Sequence, residues 1–182
     1  MEKRMKEYKG HKMGQVKDFK ELLNRAADRY GDKVAFEYKK DSSSKTPEYR
    51  KHTFKEYKEE AENLGTALMD LGLKGKRIAL IAPNRYEWCT SYISVVAGGM
   101  VIVPLDKALP DVEIKSLIQR SKADCVIFDP KYLAVFNEIR KEGRVSFEYL
   151  YMYGSNRGIG GIELSRFNTK REKTKRKRKS RI

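Results

Sequence analysis

At 182 residues the chain suits one domain, with a core able to bury roughly 70% of the surface its unfolded form exposes. Its formal net charge is +15, but ten Lys or Arg and a single acid, Glu172, fall between Arg166 and Arg181, so the charge describes a tail more than a fold. No apolar run reaches the ~18 residues of a membrane helix, and the basic N-terminus lacks an apolar segment. Cys89 and Cys125 are far apart and His11 and His52 isolated, so no membrane span, secretory signal, disulfide framework or metal site is expected, and the location read is cytoplasmic.

Residues 1–16 are polar and basic without a period and read as a flexible arm. From Asp18, a predicted N-cap, Phe19, Leu22, Leu23, Ala26, Ala27 and Tyr30 fall on one helical face that stops at Gly31. Val34 to Tyr38 and Tyr49 to Thr53 read as the two strands of a hairpin with a long polar tip. Thr53 with Glu56 three residues on forms a capping box. The helix it opens carries Phe54, Tyr57, Ala61, Leu64, Leu68 and Leu71, and closes at Gly72.

Ile78 to Ile81 is an apolar run suited to a buried parallel strand. A helix over 85–97 follows, with Trp88, Tyr92, Val95 and Val96 at helical spacing. The pair Gly98-Gly99 ends it, and Val101 to Leu105 is the next apolar run, with Pro104 where a strand leaves its ladder. Leu109-Pro110-Asp111 predicts another helix start, with proline in the first turn and Ile114, Leu117 and Ile118 on the buried face. Asp124 to Phe128 reads as a strand. Pro130 opens a helix with Tyr132, Leu133, Phe136 and Ile139, which Gly143 ends. Strand and helix thus alternate three times from Arg77 to Gly143. The expected class is α/β: a partial parallel sheet with flanking helices, preceded by the N-terminal helix and β-hairpin.

After about Val145 no helix or strand of useful length is specified. The cluster at Gly158-Ile159-Gly160-Gly161 reads as a linker, and residues 148–182 as an unstructured basic tail.

Four words in fixed order carry a family resemblance from about Val16 to about Gly143. They are Ala26 to Ala35, His52 to Tyr57, Ile81 to Trp88 and Val96 to Asp106. Together the chain resembles the AMP-forming acyl-CoA synthetases of the adenylate-forming superfamily. Pro83-Asn84-Arg85-Tyr86-Glu87-Trp88 is similar to the signature of long-chain fatty acid–CoA ligases. The resemblance implies an incomplete adenylate-forming N-terminal domain over 17–147. For the full-length family it also implies ATP, Mg and CoA as cofactors and a fatty acid as substrate, activated as an acyl-adenylate and passed to CoA. The family's Ser/Thr/Gly-rich phosphate loop ending in Pro-Lys and its Tyr-Gly-x-Thr-Glu word have no counterpart in the sequence, so no catalytic, cofactor-binding or metal residue is carried over. The expectation is a fragment inactive alone, with an open sheet edge and uncovered helix faces.

The motif residues Thr53, Glu56, Pro83, Asn84, Arg85, Glu87, Trp88, Gly98, Pro104 and Asp106 read as structural. Arg85 and Glu87 either cap the helix and pair across its first turn with Trp88 packed beneath, or touch substrate. Asp106 is a turn cap or borders a pocket at a strand's carboxyl end. The tail reads as the frameshifted end of a longer coding sequence. The alternatives are a basic module binding nucleic acid or anionic membrane nonspecifically, and a split subunit that needs a separate nucleotide-binding partner.

Overall fold

The computed structural model describes residues 14–40, 45–46 and 48–143, together with the strand segments 148–152 and 162–163. Residues 1–13 of the basic arm, the Gly158–Gly161 cluster and the Lys/Arg-rich run lie outside the described residues.

Helix α1 spans Phe19–Tyr30, and the Glu21 amide donates to Asp18 Oδ1 at 2.7 Å, the N-cap bond the sequence specifies. Strands β1 (Val34–Lys39) and β2 (Tyr49–Thr53) pair antiparallel as a two-stranded sheet. Helix α2 (Phe54–Asp70) starts from a complete capping box. The Glu56 amide donates to Thr53 Oγ1 at 3.1 Å, and the Thr53 amide donates to Glu56 Oε2 at 2.8 Å. The bond from the Thr53 amide, and then one the Thr53 hydroxyl donates to the same Glu56 Oε2 at 3.1 Å, hold Glu56 below the ordinary carboxylate range. The Glu56 half of the box is therefore present at neutral pH and is lost only as pH falls below the ordinary carboxylate range. At pH 7, Thr53→Ala should lower stability by about 1 kcal/mol in urea unfolding, and an unchanged midpoint would show the cap to be idle.

The remaining elements are β3 (Arg77–Ile81), α3 (Tyr86–Ala97), β4 (Val101–Pro104), α4 (Asp111–Ser121), β5 (Cys125–Phe128), a 3-10 turn (Pro130–Tyr132), α5 (Leu133–Lys141), β6 (Glu148–Met152) and β7 (Ile162–Glu163). They form one sheet in the order β4-β3-β5-β6-β7, parallel except at β7. Two details differ from the sequence reading. Pro110 is the extended N-cap of α4, not part of its first turn, and its carbonyl accepts from Glu113 and Ile114. The larger difference is β6. The sequence reads 148–182 as an unstructured tail, yet β6 pairs in parallel with β5 from Cys125↔Glu148 to Phe128↔Tyr151, and β7 pairs antiparallel with β6 at Tyr151↔Glu163 and Met152↔Ile162.

Alternate residues of the central strands face opposite layers. On one side Ala79, Ile81, Val126 and Phe128 pack with Ile114, Ile118, Phe136 and Ile139 of α4 and α5. On the other, Ile78, Leu80, Cys125 and Ile127 pack with Leu68 of α2 and Val95 of α3. Both faces of β3 and β5 are thus covered, as continuous apolar runs demand. Exposed large apolar side chains lie elsewhere, at Phe19 and Leu22 of α1, Val34 and Tyr49 of the hairpin, Met69 of α2, Val101 on the sheet edge and Val112 of α4.

That edge explains Pro104. The amides of Val101 and Leu105 donate to Lys76 and Leu80 at 2.9 Å each, so odd-numbered residues of β4 face β3. Pro104 faces away, where its missing N–H costs no ladder bond and removes a donor from the open edge.

Candidate functional site at the carboxyl edge of the sheet

Connections leave β3 toward β4 and leave β5 toward β6, in opposite directions along the sheet. The crevice between the carboxyl ends of β3 and β5 is therefore the topological switch point, where open α/β sheets hold ligands. Here it is occupied by charge. Arg85 Nε donates to Glu87 Oε2 at 2.8 Å, and Arg85 Nη1 donates to Asp129 Oδ2 at 3.1 Å. Glu87 is 7% exposed. Asp129, the residue after β5, is tied to β3 by its amide, which donates to the Ile81 carbonyl at 3.0 Å, and it caps the following 3-10 turn, its Oδ1 accepting from Lys131 N at 3.1 Å. One guanidinium between two carboxylates leaves a local charge of about −1 and joins β3 to β5 across the crevice.

Beside it, over the ends of β3 and β4, lies an open groove of about 410 Å³ lined by Ala82, Asn84, Trp88, Pro104, Leu105, Asp106 and Lys107. The backbone turns of both strand ends position these residues. Asp106 does both things the sequence allowed: its Oδ1 accepts from Ala108 N at 2.8 Å, closing the turn, and it borders the groove. Trp88 stacks on Tyr92 with ring centroids 5.3 Å apart and packs against the α2–α3 core.

The other motif residues divide by position. Pro83 and Asn84 form the half-buried to exposed turn from β3 into α3. Arg85 and Glu87 pair, but Arg85, although at the N-cap, makes no side-chain cap bond because its guanidinium is turned to the carboxylates. Gly98 sits where a Cβ would come within 2.8 Å of the Ser94 carbonyl and 2.6 Å of Met100 Cε, so it serves the close end of α3. Thr53 and Glu56 hold the start of α2.

Asp129 is a site residue that the sequence reading does not single out, although its place just after a buried strand and before Pro130 is a strand-end signal. His52, read from the sequence as isolated from other metal ligands, has ring and carboxylate neighbours from other elements. It is buried, its ring lies on that of Tyr86 at 3.9 Å, and its Nδ1 is 3.4 Å from Glu60 Oε1. No cluster of three or more His, Cys, Asp or Glu suited to a metal ion occurs among the described residues. No helix among them is long and apolar enough to cross a membrane.

The tyrosines near this cluster sit in dry surroundings. Burial, then the hydrogen bond to Glu60, pushes the Tyr86 phenol far up, and burial does the same to Tyr57. A raised phenol stabilises the fold fully below its unfolded value and loses that contribution as pH rises beyond about 10. In an alkaline absorbance titration, these two rings should ionise only together with unfolding. Their ionisation in a still-folded chain would contradict this burial.

Comparison with known proteins supplies the lineage. Residues 23–164 match the family model described as AMP-binding enzyme, a span that runs through β6 and β7 and past the Gly143 limit of the sequence resemblance. The chain is 31% identical over 116 residues to the acetyl-coenzyme A synthetase of Bacillus subtilis (strain 168), covering 62% of this chain and 19% of that protein. It is 30% identical over 83 residues to the long-chain-fatty-acid–CoA ligase FadD13 of Mycobacterium tuberculosis (strain CDC 1551 / Oshkosh), covering 45% and 16%. In fold it is similar to the crystal structure of the anthranilate CoA ligase AuaEII in complex with anthranoyl-AMP, with a TM-score of 0.65 and 22% identity over 77% of this chain and 26% of that one. The chain thus spans under a fifth of the length of these two curated relatives. With a match over most of its residues and the same α/β layers, the chain belongs to the AMP-binding enzyme family.

Proposed function

We propose that this chain is the N-terminal part of an ATP- and Mg-dependent long-chain fatty acid–CoA ligase and that alone it is inactive. The observation that carries the reading is the family match over residues 23–164, centred on the strand–helix–strand unit that bears Pro83 to Trp88. In such a ligase a carboxylate is adenylated and its acyl group passed to CoA. Long-chain specificity is supported by the Pro83–Trp88 word alone, because the relatives of similar identity range from an acetyl to a long-chain enzyme.

Inactivity is supported by the donor set. The crevice holds Arg85 already shared between Glu87 and Asp129, which suits neither a polyphosphate nor Mg²⁺: the net negative charge repels the first, and the second would have to displace the guanidinium from both carboxylates. These residues do not fit the cofactors, and no catalytic step is assigned to them. Cys89 and Cys125 form no disulfide among the described residues, which accords with a reducing cytoplasm.

The test is ATP–pyrophosphate exchange with palmitate, Mg²⁺ and the 182-residue chain. No exchange above the protein-free rate is expected. Acyl-adenylate formation by this chain would refute the inactivity. For chain length, a ligase carrying this region should turn over palmitate faster than acetate, and the reverse order would refute that part.

A further inference from the structure

We propose that the β-hairpin sets where α3 begins, with His52 as a positioning residue that acts through Tyr86 on the Arg85–Asp129 pair at the crevice. Four side chains from three elements meet there. His52 Nε2 lies 3.2 Å from the Tyr38 hydroxyl, and its Nδ1 lies 3.4 Å from Glu60 Oε1. Glu60 Oε2 accepts from the Tyr86 hydroxyl at 2.8 Å. The rings of Tyr38, His52 and Tyr86 are stacked within 18° of parallel, and Phe36 meets Tyr86 edge-on at 5.2 Å. Tyr38 and His52 belong to the hairpin, Glu60 to α2, and Tyr86 is the first residue of α3.

An apolar hairpin would cover this surface as well. A His–Glu–Tyr network with His52 and Tyr86 buried and Glu60 28% exposed does something more, because its polar atoms are satisfied in one arrangement and costly in others. That arrangement locates Tyr86, and Arg85 is its backbone neighbour. Arg85 reaches Asp129 on β5, and Trp88, two residues beyond Tyr86, lines the groove. The two groups also share a field: after burial, the Tyr38 phenol responds to Glu87, Arg50, Glu60 and Arg85. The coupling does not depend on what the crevice binds.

The experiment is a double-mutant cycle of His52→Phe with Asp129→Asn in the 182-residue chain, read as folding constants from urea unfolding. His52→Phe keeps a ring in the stack and removes both polar contacts. His52 and Asp129 are linked through Tyr86 and Arg85. A positioning role predicts that the double variant departs at least about threefold from the product of the singles. Agreement within about twofold, the behaviour of independent sites, overturns the proposal even if each single variant is destabilised. If the double variant does not fold, the single His52→Phe chain decides through acrylamide quenching of Trp88, the only tryptophan. A changed quenching constant supports the proposal, and an unchanged one overturns it.

Discussion

Phe136→Ala is expected to destabilise the chain by about 3–5 kcal/mol, the largest effect expected of a single truncation in this core. Phe136 of α5 is fully buried and its ring centroid lies 4.5 Å from that of Phe128 on β5. Removing it opens a cavity between the sheet and the α4–α5 layer, and the sheet backbone is too constrained to collapse into it. A domain of this size has about 5–15 kcal/mol in total, so the variant is left near its folding threshold. The outcome also tests how the two layers are joined. Trp88 reports from the opposite layer, with α2 and α3. Because β3 and β5 contribute alternate residues to both cores, fluorescence and far-UV circular dichroism should show one coincident transition at a lower urea midpoint. Two separated transitions would mean that the layers fold independently. A loss under about 1 kcal/mol would mean that the core around Phe136 is loosely packed.

The parts of this fold legible in sequence are those specified by neighbours. Asp18 and the Thr53–Glu56 box mark helix starts because the groups that meet are three residues apart. The apolar runs of β3 and β5 announce a sheet covered on both faces because burial leaves no polar side to alternate with. The parts that are not legible depend on pairs distant in the chain. Arg85 and Asp129 are 44 residues apart, and only the strand order brings the two strand ends together. His52 lies in a polar-looking strand, and its partners Glu60 and Tyr86 come from two other elements. Strand β6 is short and precedes a glycine-rich, basic stretch; its pairing comes from β5, where Cys125 is the partner of Glu148. The motif word at Pro83–Trp88 is the strongest pointer to the site, and it locates one side of the crevice without the other.

Arg85→Met should cost about 2–3 kcal/mol, and distinctly more than Asp129→Asn at about 1 kcal/mol. The asymmetry follows from what each change leaves behind. Without Arg85, Glu87 and Asp129 both lose their cation; their side chains are 7% and 15% exposed, so water replaces it poorly. Breaking a fully buried pair costs about 3–5 kcal/mol, and the 27% exposure of the Arg85 side chain reduces that figure here. In the Asp129→Asn variant the amide oxygen still accepts from the guanidinium, which keeps Glu87 as its charged partner. Adding Glu87→Gln to Arg85→Met should then recover part of the loss, because it removes one of the two unpaired charges. The set is read by urea unfolding at pH 7 and low salt. Equal costs for Arg85→Met and Asp129→Asn, with no recovery from Glu87→Gln, would show that solvent already screens the cluster. In that case Arg85 is not what holds β3 and β5 together at the crevice, and the switch point is open to a ligand without any ion pair having to be displaced.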